Sequence, residues 1–81
     1  MDYVSTTKFL TGFMKNTIKV ERARYNMTQQ DLAEKVSVSR QTINSIEAGK
    51  YVPSTVLALK ISKVFGVGVE EIFELEEVDY K

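Results

Sequence analysis

The sequence predicts an all-α domain, and three observations predict it. Between Thr28 and Ala48, two short apolar stripes each follow an N-cap residue and are separated by a tight turn. Ser54 opens a longer segment whose apolar positions share one helical face as far as Phe65. Shorter stretches at 17–25 and 69–73 carry helical signals before and after these.

The first helix is expected over Thr17–Tyr25, capped by Asn16. Ile18, Arg22 and Tyr25 fall at i, i+4 and i+7 and define its inner face. An arginine on an inner face needs a partner. Asn26 at the helix end tolerates positive φ. Thr28 then caps a second helix, with Asp31 in the capping-box position and Leu32, Ala33 and Val36 on one face. Helical signal stops across Ser37 and Val38. Ser39 caps a third helix, whose apolar stripe is Ile43 and Ile46. Two helices of under three turns each do not hold themselves up, so they pack on something.

Gly49-Lys50-Tyr51-Val52-Pro53 reads as a loop, with glycine ending one helix and proline blocking an early restart. In the fourth helix Leu57, Ala58, Ile61, Val64 and Phe65 form a wide apolar face, closed by Gly66. Gly68 stands at the N-cap of a last short helix, Val69–Phe73, with Glu70 and Glu71 in the turn where the helix dipole favours acids. Ile72 and Phe73 are expected in the core.

The organisation is an N-terminal extension over 1–13, a helical domain over 14–74 and an acidic tail over 75–81. In the extension, Phe9, Leu10 and Phe13 have helical spacing, while Gly12 and the Ser5-Thr6-Thr7 run oppose a helix. In the tail, Leu75, Val78 and Tyr80 hint at a strand, and disorder fits equally well.

Eighty-one residues make one domain near the lower size for a self-supporting core. There is no cysteine and no histidine, which excludes disulfides, thiolate or histidine metal sites and histidine-dependent catalysis. No cofactor is expected. No apolar run approaches the length of a membrane span, and the N-terminus does not resemble a secretory signal, so a cytoplasmic protein is expected. Net charge is zero but unevenly spread. Residues 1–60 hold nine Lys/Arg and five Asp/Glu, a balance of +4, and residues 61–81 hold two and six, a balance of −4.

The outer face of the third helix carries the chemistry. On a wheel of about 100° per residue, with Arg40 at zero, Ile43 and Ile46 lie near about 300° and 240°. The opposite side holds Gln41, Asn44, Ser45 and Ala48, with Arg40 at its leading end. That face is polar, rich in amides and free of carboxylates, while Glu47 lies beside the apolar stripe. Amides and a guanidinium match the donor and acceptor pattern of base edges in a DNA major groove. An ordinary solvated helix face has the same composition, and the surrounding twenty-residue unit is what favours the first reading.

The run TQQDLAEKVSVSRQTINSIEAGKYVPS resembles the helix-turn-helix of phage repressors and Cro proteins, the xenobiotic-response-element type. Ala33 sits where two helices would cross, Val38, Ile43 and Ile46 occupy the apolar positions, and Gly49 follows the second helix of the pair. The resemblance covers Ile18 to Phe73. It implies a five-helix, lambda-repressor-like domain whose second and third helices form the DNA-reading pair. It also implies base contacts at Arg40, Gln41 and Ser45 with Asn44 close by, and a phosphate contact at Gln29 through its side chain and backbone N–H. Thr42 and Lys50 are further phosphate candidates. The family's internal ion pair falls here on Arg22 and Glu47. Three positions depart from the pattern: Glu21 where an apolar residue is usual, and Asn26 and Ser37 where glycine is frequent.

The leading function is therefore a sequence-specific regulator, expected to repress by binding a pseudo-palindromic double-stranded DNA operator as a homodimer. Its contact between copies is expected at the fourth-to-fifth helix end and tail, through Leu59, Val69, Leu75 and Val78, with Phe9, Leu10 and Phe13 as the alternative. A second reading is an antitoxin that also grips a toxin or other effector protein. A third is a protein-interaction module without DNA affinity. An enzyme is least supported, because no residue pair has nucleophile-plus-base logic and no glycine-rich phosphate loop is present.

Overall fold

The computed structural model describes residues 14–76. Five helices follow one another: α1 (Ile18–Arg24), α2 (Gln29–Val36), α3 (Arg40–Glu47), α4 (Thr55–Phe65) and α5 (Val69–Ile72). A two-residue strand precedes them, β1 (Lys15–Asn16), and another follows, β2 (Phe73–Glu74). The extension over 1–13 and residues 77–81 of the tail, with Phe9, Leu10, Phe13, Val78 and Tyr80, lie outside the described residues.

Capping residues set where the chain turns. Thr28 accepts from the Asp31 backbone N–H at 2.9 Å, and the Asp31 carboxylate accepts from the Thr28 N–H at 2.9 Å. Ser39 and Ser54 cap α3 and α4 in the same way, accepting from Thr42 and Leu57 at 3.1 Å each. These side chains satisfy backbone donors that a helix start otherwise leaves unpaired. Two junctions use left-handed backbone on non-glycine residues: Asn26 with φ 53° and Ser37 with φ 62°. Ser37 ends α2, and the Val38 N–H beyond it bonds back to the Ala33 carbonyl at 3.0 Å.

One core holds the helices together. Ile18, Leu32, Ile43, Ile46, Ile61 and Ile72 are its largest fully buried side chains. Ala33 is also fully buried, and Phe65 and Phe73 close the core. Burial of each large apolar side chain contributes about 1.5–3 kcal/mol. The core therefore sets the position of α2 and α3, which are too short to persist alone.

The structure differs from the sequence expectation in four places. The all-α description needs a small addition, because β1 and β2 pair antiparallel, with Lys15 opposite Glu74 and Asn16 opposite Phe73. Phe73 accordingly leaves the last helix for extended backbone, while its side chain stays buried. The first helix begins at Ile18 and not at Thr17. Asn16 still serves its start, since Oδ1 accepts from the Ile18 N–H at 3.2 Å, while Nδ2 donates to the Ile46 carbonyl at 2.8 Å. Tyr25 is not an inner residue. It is 56% exposed, stacks on Phe65 and donates its hydroxyl to the Phe65 carbonyl at 3.2 Å. The slot that faces inward is Glu21, which is buried, with its carboxylate 3.7 Å from the Arg24 guanidinium.

Two predictions follow from the helix ends. Ser37→Gly removes side-chain strain at a left-handed position and is expected to stabilise by up to about 1 kcal/mol, net of glycine's own entropic cost. Urea denaturation reads the difference, and a loss of stability contradicts it. The second concerns pH. Hydrogen bonds from the Thr28 backbone and hydroxyl hold the Asp31 carboxyl below its ordinary value of 3.8. A carboxyl lowered by folding stabilises above its unfolded pKa and loses that contribution as pH falls through its folded value. Asp31→Ala is thus expected to be less stable than the parent at about pH 7, with the gap closing below about pH 3.8. A gap independent of pH contradicts the assignment.

Candidate nucleic-acid interface

The helix α3 is anchored on Ile43 and Ile46, both buried, so the opposite side of the helix faces out. Arg40, Gln41, Asn44 and Ala48 are exposed there, and Ser45 and Thr42 are half-buried at its edge. No acidic residue stands in its first turn. The loop after α3 folds back beside this face. Lys50 bonds through its N–H to the Ser45 carbonyl at 2.9 Å, and Lys50 and Tyr51 line a shallow open groove with Ser39, Gln41, Thr42 and Ser45. Thr42 Oγ1 lies 3.0 Å from the Ser39 Oγ, in a hydrogen bond that either hydroxyl can donate.

Behind the face runs a polar network. Arg22 of α1 meets Glu47 of α3 through two hydrogen bonds, Nε to Oε2 at 2.6 Å and Nη2 to Oε1 at 3.1 Å. Only 14% and 9% of the two side chains is exposed, so both charges are largely removed from water. A third donor, Nη1, reaches the Met27 carbonyl at 2.9 Å and ties the turn between α1 and α2 to the pair. Gln29, the first residue of α2, extends the network: its Nε2 donates to Glu47 Oε1 at 3.1 Å and to Asn44 Oδ1 at 3.2 Å. Both amide hydrogens of Gln29 are therefore engaged within the protein.

The structure thus brings the named residues onto one side of the molecule, in three groups. Arg40, Gln41, Asn44 and Ser45 lie along α3. Thr42 and Lys50 flank them around the groove, and Gln29 stands at the start of α2, bonded across to α3. Arg22 and Glu47 form the layer beneath. Sequence reasoning missed two features. Tyr51, 48% exposed beside Lys50, carries an aromatic ring and a hydroxyl at the groove's edge. The Gln29 bridge was also missed, because its partners stand 15 and 18 residues away and on a different helix. The only sequence signal for it was an amide at the first position of α2.

The helix-turn-helix family pattern matches residues 18–72 of the chain. The chain belongs to the Cro/C1-type helix-turn-helix family. A Methanocaldococcus jannaschii protein, named as an uncharacterised HTH-type transcriptional regulator, is 59% identical to this chain over 64 residues, covering 79% of this chain and 97% of the relative. YgzD of Bacillus subtilis, likewise named as an uncharacterised HTH-type transcriptional regulator, is 53% identical over 64 residues, with the same coverage. Among solved structures, a Bacteroides fragilis protein proposed to bind DNA superposes with a TM-score of 0.68 at 30% identity, covering 75% of this chain and 98% of that one. No helix among the described residues is long and apolar enough to cross a membrane.

Glu47→Ala leaves Arg22 without its carboxylate in a largely dry site and removes an acceptor from Gln29. One-sided loss of a buried pair costs roughly 3–5 kcal/mol, against about 0–1 kcal/mol for an exposed one. Loss of about 3 kcal/mol in chemical denaturation is expected, and a loss below about 1 kcal/mol contradicts the buried role.

Proposed function

We propose that the protein is a sequence-specific DNA-binding transcriptional regulator that lays α3 in the major groove. The observation that carries this reading is the outward face of α3, where Arg40, Gln41 and Asn44 are exposed over buried Ile43 and Ile46 with no acid in the first turn. In this mechanism Arg40 pairs with guanine, Gln41 grips adenine through two hydrogen bonds, and Asn44 and Ser45 reach neighbouring bases. Phosphates are met by Lys50, by Thr42, and by the N–H groups in the first turn of α2 at Gln29. Engagement of the Gln29 side chain elsewhere favours its backbone as the phosphate donor. The regulatory sign proposed is repression, because a domain seated in a promoter occludes it without needing a further surface.

Regulators of this size gain affinity by doubling their contacts. We propose a two-fold dimer on a pseudo-palindromic operator, with half-sites about 34 Å apart. Leu59 and Leu75 are 50% and 45% exposed, which supports the α4–α5 end as the contact between copies. Val69 is half-buried against the core, so it offers less of its side chain to that surface.

Two outcomes test this reading. Binding to duplex DNA is expected to weaken steeply with salt, and Gln41→Ala is expected to lose about 1–3 kcal/mol on the cognate site while relaxing preference at one base pair. A Gln41→Ala protein with unchanged affinity and base preference contradicts the assignment. Sedimentation at micromolar concentration is expected to show a dimer, and Leu59→Glu to shift it to monomer. A strictly monomeric parent that binds one half-site with full affinity contradicts the dimer.

A further inference from the structure

We propose that Gln29 is a positioning residue that fixes Asn44 as a hydrogen-bond donor, so that Asn44 selects guanine or thymine and disfavours adenine and cytosine. The inference rests on the placement of α3 in the major groove proposed above, and it assigns the specificity of one position in that site.

A carboxylate accepts hydrogen bonds and donates none. Glu47 Oε1 already receives Arg22 Nη2 at 3.1 Å. The Gln29 group that meets the same oxygen at 3.1 Å must therefore be the amide NH2 and not the carbonyl. This settles the orientation of Gln29 by chemistry, although oxygen and nitrogen of an amide look alike in shape. The same NH2 lies 3.2 Å from one prong of the Asn44 amide. Two NH2 groups cannot bond to each other, so that prong must be Oδ1. Orientation thus passes from Arg22 through Glu47 and Gln29 to Asn44, across three helices.

Asn44 is exposed, and with Oδ1 turned toward Gln29, its free prong is the NH2. An unrestrained asparagine reads adenine through both prongs, its oxygen accepting from N6 and its nitrogen donating to N7. The restrained one has its oxygen turned toward Gln29 and presents its NH2. It fits guanine, whose major-groove edge presents two acceptors, O6 and N7, and it fits the thymine O4. Cytosine presents only the N4 donor, which sets donor against donor, and adenine offers N7 to the NH2 but leaves its N6 donor without the acceptor that an unrestrained asparagine supplies.

The test is selection of bound duplexes from a random pool by the full chain and four variants. Asn44→Ala identifies the base pair that Asn44 reads, as the position where preference flattens. At that position the parent is expected to favour guanine or thymine over adenine and cytosine by roughly fivefold or more. Gln29→Met, similar in length and without polar atoms, frees the Asn44 amide, and adenine is expected to rise to parity there. Gln29→Leu, also without polar atoms, is expected to do the same, which separates loss of the hydrogen bond from the shape of the methionine side chain. Positions that respond to Gln41→Ala should not change in either variant. Parent preference for adenine at the Asn44 position overturns the inference. So does a uniform change of affinity in both Gln29 variants with the base profile intact, or an Asn44→Ala that flattens no position. Failure of the underlying reading looks different: the parent then enriches no site at all, and the inference falls with it.

Discussion

The pair between Arg22 and Glu47 is the constraint on which the working surface depends. It joins α1 to α3 by two hydrogen bonds, and its third donor holds the turn at Met27. The paired carboxylate also receives Gln29 from α2, so one oxygen fixes three helices relative to one another. Desolvating two charges offsets much of their attraction, and apolar residues of similar volume would often hold a fold as well. What an apolar replacement lacks is direction. Hydrogen bonds specify orientation, and here the orientation runs outward to the exposed amide of Asn44 on the α3 face.

Around that pair, the backbone is set by short-range chemistry. Thr28, Ser39 and Ser54 start three helices at defined residues, and left-handed turns at Asn26 and Ser37 set the angles between them. Serine at the second turn keeps some strain that glycine would relieve. The core tolerates it because Leu32, Ala33, Val36, Ile43 and Ile46 are buried on both sides of that turn. At the edge, pairing of Lys15–Asn16 with Phe73–Glu74 brings the two ends of the helical domain together, and Asn16 links the start of α1 to the end of α3.

Much of this was legible in the sequence, for local reasons. N-caps act within three residues and apolar stripes within one helix, so α2, α3 and α4 could be read from residues alone. The positive φ at Ser37 was legible through the resemblance to a family with glycine there. What failed was long-range. Tyr25 has the spacing of an inner residue, yet Phe65, forty positions on, holds its ring at the surface. Phe73 has the burial of a helical residue, but β1, at the far end of the domain, recruits it into a strand. At the interface, the outward residues of α3 followed from periodicity. The turning of Gln29 toward Asn44 and Glu47 did not, because it depends on how α2 crosses α3 in the fold.

The central claim is that the α3 face, positioned by the buried pair, is the surface that meets DNA. Titration of the isotopically labelled protein with duplex DNA, followed by backbone and side-chain amide resonances, tests it most directly. The account predicts that the largest changes fall on Arg40, Gln41, Asn44 and Ser45, on the Gln29 N–H and on Lys50, and that Val56 and Leu59 on α4 stay unchanged. Changes centred on Val56 and Leu59 with α3 unaffected would contradict it.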